Sequence, residues 1–170
     1  MSADVRFCSA QSMAPGRALA YINDLQAEND MADVFVTMAF VSVDPGSRRM
    51  VMGNAGHLKP LVRRAADGSV EEAGQEPGFP LGVAGGVEYE EGACALQPGD
   101  VVCLVSDGVT EAMDGAKNLF GEERLRQALA QAPATAKGAL DTVLAEVQRH
   151  VGDTKQSDDL TCVCFGVKSG

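Results

Sequence analysis

The sequence predicts an α+β fold of two mainly antiparallel sheets flanked by helices. Three observations carry this prediction. First, Val34–Val43 (VFVTMAFVSV), Val101–Val105 and Leu160–Val167 are apolar at both alternating sets of positions. Each therefore reads as a strand with material on either side of its sheet. Second, the strand candidates between Val34 and Asp100 are separated by turns and not by helices, which excludes a parallel sheet built from crossover helices. Third, two amphipathic helices follow that run and a single strand closes the chain. A packed pair of sheets with helices on the outer faces satisfies every doubly buried strand.

The elements follow in order. Residues 2–12 are weakly patterned and read as the tail of a helix. Pro15 suits the first position of the next helix, where Ala18, Leu19, Ile22 and Leu25 recur at helical spacing until about Asn29. Val34–Val43 turns at Asp44-Pro45-Gly46 and returns as Arg48–Gly53. Asn54-Ala55-Gly56-His57 reads as the next hairpin turn and Leu58–Arg64 as the strand after it. Asp67-Gly68 turns that strand into Ser69–Ala73. Short strands continue through Val87–Leu96, with Glu88–Glu91 as a solvated face, and Pro98-Gly99-Asp100 leads into Val101–Val105. Gly121-Glu122-Glu123-Arg124 opens a helix with Leu125, Ala128 and Leu129 on one face, and Phe120 and Leu125 are spaced as a hydrophobic staple if Gly121 is the N-cap. After Pro133, a stripe from Ala136 through Ala139, Leu140, Val143, Leu144 and Val147 to Val151 marks a second helix that stops near Gly152.

The 170 residues suffice for one domain with a sizeable core. Residues 1–30 form its helical segment, and 31–170 its strand meander, two helices and last strand. A formal net charge of −10 disfavours nucleic acid and anionic membranes as partners. It also repels a phosphorylated substrate unless bound cations invert the local field. No apolar run approaches the roughly 20 residues that span a bilayer. The N-terminus lacks the basic-then-apolar pattern of a secretory signal. Cys162 and Cys164 share one strand face, where they are expected to pack as small hydrophobes. With no CxxC pair and 2 histidines, the spacing argues against a structural zinc site, and the 5 cysteines fit a reduced, cytoplasmic setting.

The chemistry gathers at two Asp-bearing junctions. Val101–Val105 ends abruptly in Ser106-Asp107-Gly108, and Ser157-Asp158-Asp159 immediately precedes Leu160–Val167. If these strands are antiparallel neighbours, the end of the first lies beside the start of the second, and Asp107 and Asp158 converge. Converging carboxylates need a cation or a shared proton. Glu111 and Asp114, just past Gly108, either orient a bound water or cation or simply belong to an exposed helix start. His57 reads as a structural, hydrogen-bonded histidine. Gly82–Gly86 (GVAGG) is no phosphate loop, since neither Lys-Ser/Thr nor a helix follows.

Six stretches occur in order: VMGNAGHLKPL (Val51–Leu61), FPLGV (Phe79–Val83), LQPGD (Leu96–Asp100), LVSDGVTEA (Leu104–Ala112), FGEERL (Phe120–Leu125) and SDDLT (Ser157–Thr161). Together they resemble the SpoIIE-type branch of the metal-dependent PPM (PP2C-like) serine/threonine phosphatases of bacteria. The resemblance implies an α/β–β/α sandwich that binds two Mn2+ or Mg2+ ions and dephosphorylates a partner protein, typically an anti-sigma-factor antagonist. It implies metal ligation by Asp107 and Asp158, with Asp159 and Gly108 supporting them.

Family members begin with strands that carry further metal-binding aspartates, whereas residues 1–30 hold only Asp4, Asp24 and Asp30. The chain is therefore expected to lack the first strands and to start inside the first long helix. Edges left unpaired by that loss would favour association of the chain with itself. The alternative function is a catalytically incomplete, phosphatase-like module acting through protein contacts.

Overall fold

The structure, a computed structural model, describes residues 1–28, 35–154 and 158–168. In chain order its first elements are α1 (Ser2–Ala10), α2 (Pro15–Glu28), β1 (Met38–Asp44), β2 (Arg49–Ala55), β3 (Leu61–Arg63) and β4 (Val70–Glu72). They are followed by β5 (Glu91–Ala95), β6 (Val101–Val105), α3 (Asp107–Thr110), α4 (Gly121–Gln131), α5 (Ala136–Val151) and β7 (Cys162–Gly166). The strands form a three-stranded sheet, β1-β2-β5, and a four-stranded sheet, β4-β3-β6-β7. Every pairing within them is antiparallel. The chain forms two compact units, one of Met1–Lys59 and Ala73–Ala95, the other of Pro60–Glu72 and Leu96–Gly170.

In the first unit, α2 buries the stripe that its periodicity announces. Ala18, Leu19 and Ile22 lie in one core with Cys8, Ala55, Leu81 and Tyr89. Gly53 lets the helix come close to β2, because a Cβ there would stand 2.8 Å from Leu19 Cδ1. The helix start is held from β5, where Glu91 Oε1 accepts from the Gly16 amide at 2.8 Å. Glu91 is thus not merely part of a solvated face; it satisfies an amide that the first turn leaves without a helical partner. The β1–β2 turn closes on Asp44, whose carboxylate accepts from the Ser47 hydroxyl at 2.6 Å and the Gly46 amide at 2.9 Å.

Two expectations for this unit are corrected. Val34–Val43 was to be covered on both faces. Val34 lies outside the described residues, and Phe35 and Val43 are exposed. The helical core reaches only Val36, Met38 and Phe40, so the far half of β1 stays open on both sides. Asn54–His57 is not a hairpin turn either. β2 pairs with β1 and β5, whereas β3 pairs with β4 and β6, so the segment carries the chain from one sheet to the other. His57 has the structural role expected: its amide donates to Asn54 Oδ1 at 2.8 Å and its Nδ1–H to the Leu58 carbonyl at 2.8 Å.

The second unit is built on β6, which lies between β3 and β7. Val101, Val102 and Cys103 are fully buried, as the unbroken apolar run requires. Leu125, Ala128 and Leu129 of α4 and Ala139, Val143 and Val147 of α5 are buried as well. Gly121 takes a left-handed φ of +77° at the first position of α4, where Phe120 and not Gly121 holds the cap position, and Phe120 and Leu125 are both buried. Thr135 caps α5 by accepting from the Gly138 amide at 3.0 Å, and Gly152 ends it at φ +58°. Two departures stand out. Leu144 is exposed, so the α5 stripe is narrower than its spacing suggests, and β7 is an edge strand whose Val163 is half-exposed.

Just ahead of β6, Asp100 is buried. Its carboxylate accepts from the Gln97 and Ala65 amides and from Arg64 Nη1, each at 2.9 Å. Burial pushes this carboxyl up, but the two amides and the guanidinium outweigh it and hold the group below the ordinary aspartate range.

Candidate functional site

The ladder between β6 and β7 sets the site. Val105 pairs with Cys162, so the turn leaving β6 lies beside the segment entering β7. The Ser106 amide donates to the Thr161 carbonyl at 2.9 Å, and the Thr161 amide donates back to Ser106 Oγ at 3.0 Å. The same hydroxyl donates to the Asp159 carbonyl at 3.3 Å. Gly108 lies against that carbonyl so closely that a Cβ would stand 2.4 Å from the Asp159 oxygen. The segments 106–108 and 158–161 are therefore joined, as the antiparallel expectation requires.

Asp107 opens the short helix α3. Its Oδ1 accepts from the Gly108 amide at 2.9 Å, and its carbonyl accepts from the Thr110 hydroxyl at 3.1 Å. On the facing segment, Asp158 Oδ1 accepts from the Asp159 amide at 2.7 Å. Asp107, Asp158 and Asp159 are exposed, whereas Gly108, Val109 and Thr110 are buried beneath them. Solvent-facing carboxylates on a buried support are the donor type that Mg2+ and Mn2+ take, so the residues present fit such an ion in kind. Two carboxylates fill only part of a sphere of about six oxygens, leaving the rest to water, substrate or further ligands.

Of the neighbouring acidic residues, Glu111 is exposed and Asp114 has other work. Asp114 accepts from the Ala116 and Asn118 amides and from Asn118 Nδ2, each at 2.8 Å, and so closes the turn between α3 and α4. The Asn118 side chain, then its amide, holds this carboxyl below its ordinary range. His150 donates from Nε2 to the Asn118 carbonyl at 2.9 Å and meets Phe120 edge-on with ring centres 5.7 Å apart.

Sequence reasoning passed over Ser106. Its place between an apolar strand and an Asp-Gly turn is a signal, but the reciprocal bond to Thr161 exists only once the two strands are paired. It also missed Asn23, fully buried on α2, which accepts from the Gly82 amide at 3.0 Å and donates to the Ala84 carbonyl at 2.8 Å. With Asp24, which accepts from the Gly86 amide at 2.8 Å, it docks the GVAGG loop onto α2. Gly82 and Gly86 take left-handed φ values of +86° and +72°, which accounts for these glycines without any phosphate.

Known proteins share this arrangement of chain. Protein IcfG from Synechocystis is 27% identical over 148 residues, covering 86% of this chain and 23% of the relative. The phosphoserine phosphatase RsbU from Bacillus subtilis is 27% identical over 97 residues, covering 57% of this chain and 29% of RsbU. The chain thus spans less than a third of either relative. Among solved structures, the SiaA-PP2C domain of Pseudomonas aeruginosa matches with a TM-score of 0.78 at 20% identity, over 96% of this chain and 65% of that one. The fold is therefore of the PP2C type. The model of the stage II sporulation protein E family matches residues 3–168, and the chain belongs to the SpoIIE family.

Proposed function

We propose that this chain, as a single PP2C-like domain, serves a metal-dependent phosphoserine/phosphothreonine protein phosphatase of a bacterial signalling system. Its substrate in this reading is a phosphorylated protein of the anti-sigma-factor-antagonist type. The observation that carries the reading is the joining of Ser106–Gly108 to the segment entering β7, which sets Asp107 and Asp158 on adjoining exposed turns. The activity named for RsbU supports the same reading.

Asp107 and Asp158 would hold Mn2+ or Mg2+, with Asp159 and Gly108 keeping their two segments in register. When bound, such ions supply Lewis acidity at the phosphoryl group. The protein's own part is to fix the carboxylates before substrate arrives. The Gly108 and Asp159 amides orient one oxygen of each, and the Ser106 hydroxyl prevents the two turns from separating. Phosphate can approach this acidic chain once that charge is countered. Five free thiols favour a reducing, cytoplasmic setting. Among the described residues, no helix is long and apolar enough to cross a membrane.

A second reading, a phosphatase-like module acting through protein contacts, draws on the exposed apolar side chains. Phe35 and Phe79 in the first unit and Val163 in the second are more than half exposed. A partner protein or a second copy of the chain would cover them.

Calorimetric titration of the chain and its Asp107→Ala variant with Mn2+, followed by phosphoserine-peptide hydrolysis, separates the two. The phosphatase reading expects metal binding and hydrolysis that both vanish in the variant. Folded wild-type chain that neither binds Mn2+ nor releases phosphate leaves the module.

A further inference from the structure

Three cysteines from two separate stretches of the sequence converge in the second unit. Cys103 on β6 stands directly opposite Cys164 on β7, and Cys162, two residues earlier, points to the same face of β7. All three Sγ atoms lie within 4.8 Å of one another. Cys103 and Cys162 are 3.8 Å apart, and Cys162 and Cys164 are 4.0 Å apart.

These spacings have a chemical meaning. Sulfurs held about 2.3 Å from a common ion stand roughly 3.8 Å apart around a tetrahedral centre and about 4.0 Å apart around a trigonal one. An ion seated among the three thiols would ask almost no movement of the two measured pairs. The backbone already fixes them, because two of the cysteines share a strand face and the third is their neighbour in the ladder. Cys103 is buried, whereas Cys162 and Cys164 are half-buried on an edge strand, so the cluster has a solid floor and a route in from the sheet edge.

We propose that Cys103, Cys162 and Cys164 form a three-thiolate site for a thiophilic d10 cation, Zn2+ or Cu+, with one coordination position left to solvent. Sulfur donors select such ions and exclude Mg2+ and Mn2+, so this site is chemically separate from the carboxylates at the end of β6. One of the three thiols is disposed to ionise: the S–H of Cys103 and then that of Cys164 favour the Cys162 thiolate and lower that thiol, while Cys103 and Cys164 are themselves raised. Bound metal would tie the edge strand β7 to β6 by side chains as well as by its ladder, and would stabilise the fold through linkage.

The test uses the reduced 170-residue chain, titrated with Co2+ as the coloured stand-in for Zn2+ and, in a second arm, with Cu+ against a competing chelator. Expected is one equivalent of Co2+ with an intense thiolate-to-metal charge-transfer band that Zn2+ displaces, together with a higher melting temperature. Binding of Cu+ alone keeps the site and assigns it to copper. Cys162→Ser and Cys164→Ser, the less buried positions, each weaken binding more than about tenfold, the least that even an outer-shell change costs at such sites. Cys94→Ser and Asp107→Asn leave the band unchanged, so the outcome does not depend on the phosphatase reading. The proposal is overturned by folded wild-type chain that binds neither ion, by a band that survives in the Cys162→Ser/Cys164→Ser double variant, or by a Cys103–Cys164 disulfide in chain kept under reductant.

Discussion

The Cα of Gly108 lies so near the carbonyl of Asp159 that a Cβ at position 108 would stand 2.4 Å from that oxygen. Two turns at the same end of the β6–β7 ladder touch backbone to backbone, and each carries an aspartate next to the point of contact.

Gly108→Ala should therefore force the turns apart. No left-handed φ is at stake, so the cost is steric and local, about 1–3 kcal/mol as for an overpacked site. Under the proposed function, Mn2+ affinity and hydrolysis fall together while β6 and β7 remain paired. Calorimetry and a phosphopeptide assay on the folded variant check this. Unchanged metal affinity would separate Gly108 from the site.

Asp100 supplies a pH dependence. Its carboxyl is held below the ordinary value, so its contribution is fully present above the unfolded-state pKa of about 3.9 and is lost as pH falls through the lower folded value. Asp100→Asn removes the buried charge partner of Arg64 while Glu71 stays paired with it, and should cost about 1–3 kcal/mol at neutral pH. Below about pH 4 the gap between wild type and variant should narrow. Denaturant melts at a series of pH values read both effects, and a gap that widens in acid would contradict the assignment.

Asn23→Ala removes two of the three bonds that seat the GVAGG loop, leaving Asp24–Gly86, and deprives the Gly82 amide and the Ala84 carbonyl of that partner. A loss of about 2–3 kcal/mol is expected, with faster hydrogen exchange at Gly82 and Gly86 than at the α2 amides. Exchange that quickens equally over the whole first unit would mean the loop is not docked by Asn23 in particular.

Glu91→Ala tests the helix start. Removing an acceptor from the first turn of α2 should cost about 1 kcal/mol, as loss of a cap does, while Glu88→Ala should be close to neutral. Equal effects in thermal melts would return Glu91 to the solvated face that its neighbours suggest.

Much of this was legible in the sequence because local patterns report local burial. Helices α2, α4 and α5, the Asp44 and Asp67 turns and the unbroken run of β6 are each announced within a dozen residues. The adjoining of the Asp107 and Asp158 turns was foreseeable for a related reason: in an antiparallel pair the end of one strand lies beside the start of the other. The β1 and β7 readings failed in the opposite way. Apolar residues at both alternating positions predict cover on both faces, but cover is supplied by other elements. The helical core stops at Phe40, and on β7 the Val163 face is half-exposed, with β6 its one strand neighbour among the described residues.

What the sequence by itself determined is the set of elements, the two aspartate-bearing junctions and the family. Pairing was decided only in three dimensions. The tertiary structure sent β2 and β3 to different sheets across Asn54–His57, because a strand joins whichever ladder buries its faces, whatever turn precedes it. It made Ser106 a clasp and Asp100 an ion-paired anchor, since their partners arrive from separate segments. It also brought Cys103 beside Cys162 across a separation of 59 residues. Spacing rules read ligands along the chain, whereas an antiparallel ladder sets neighbours across it.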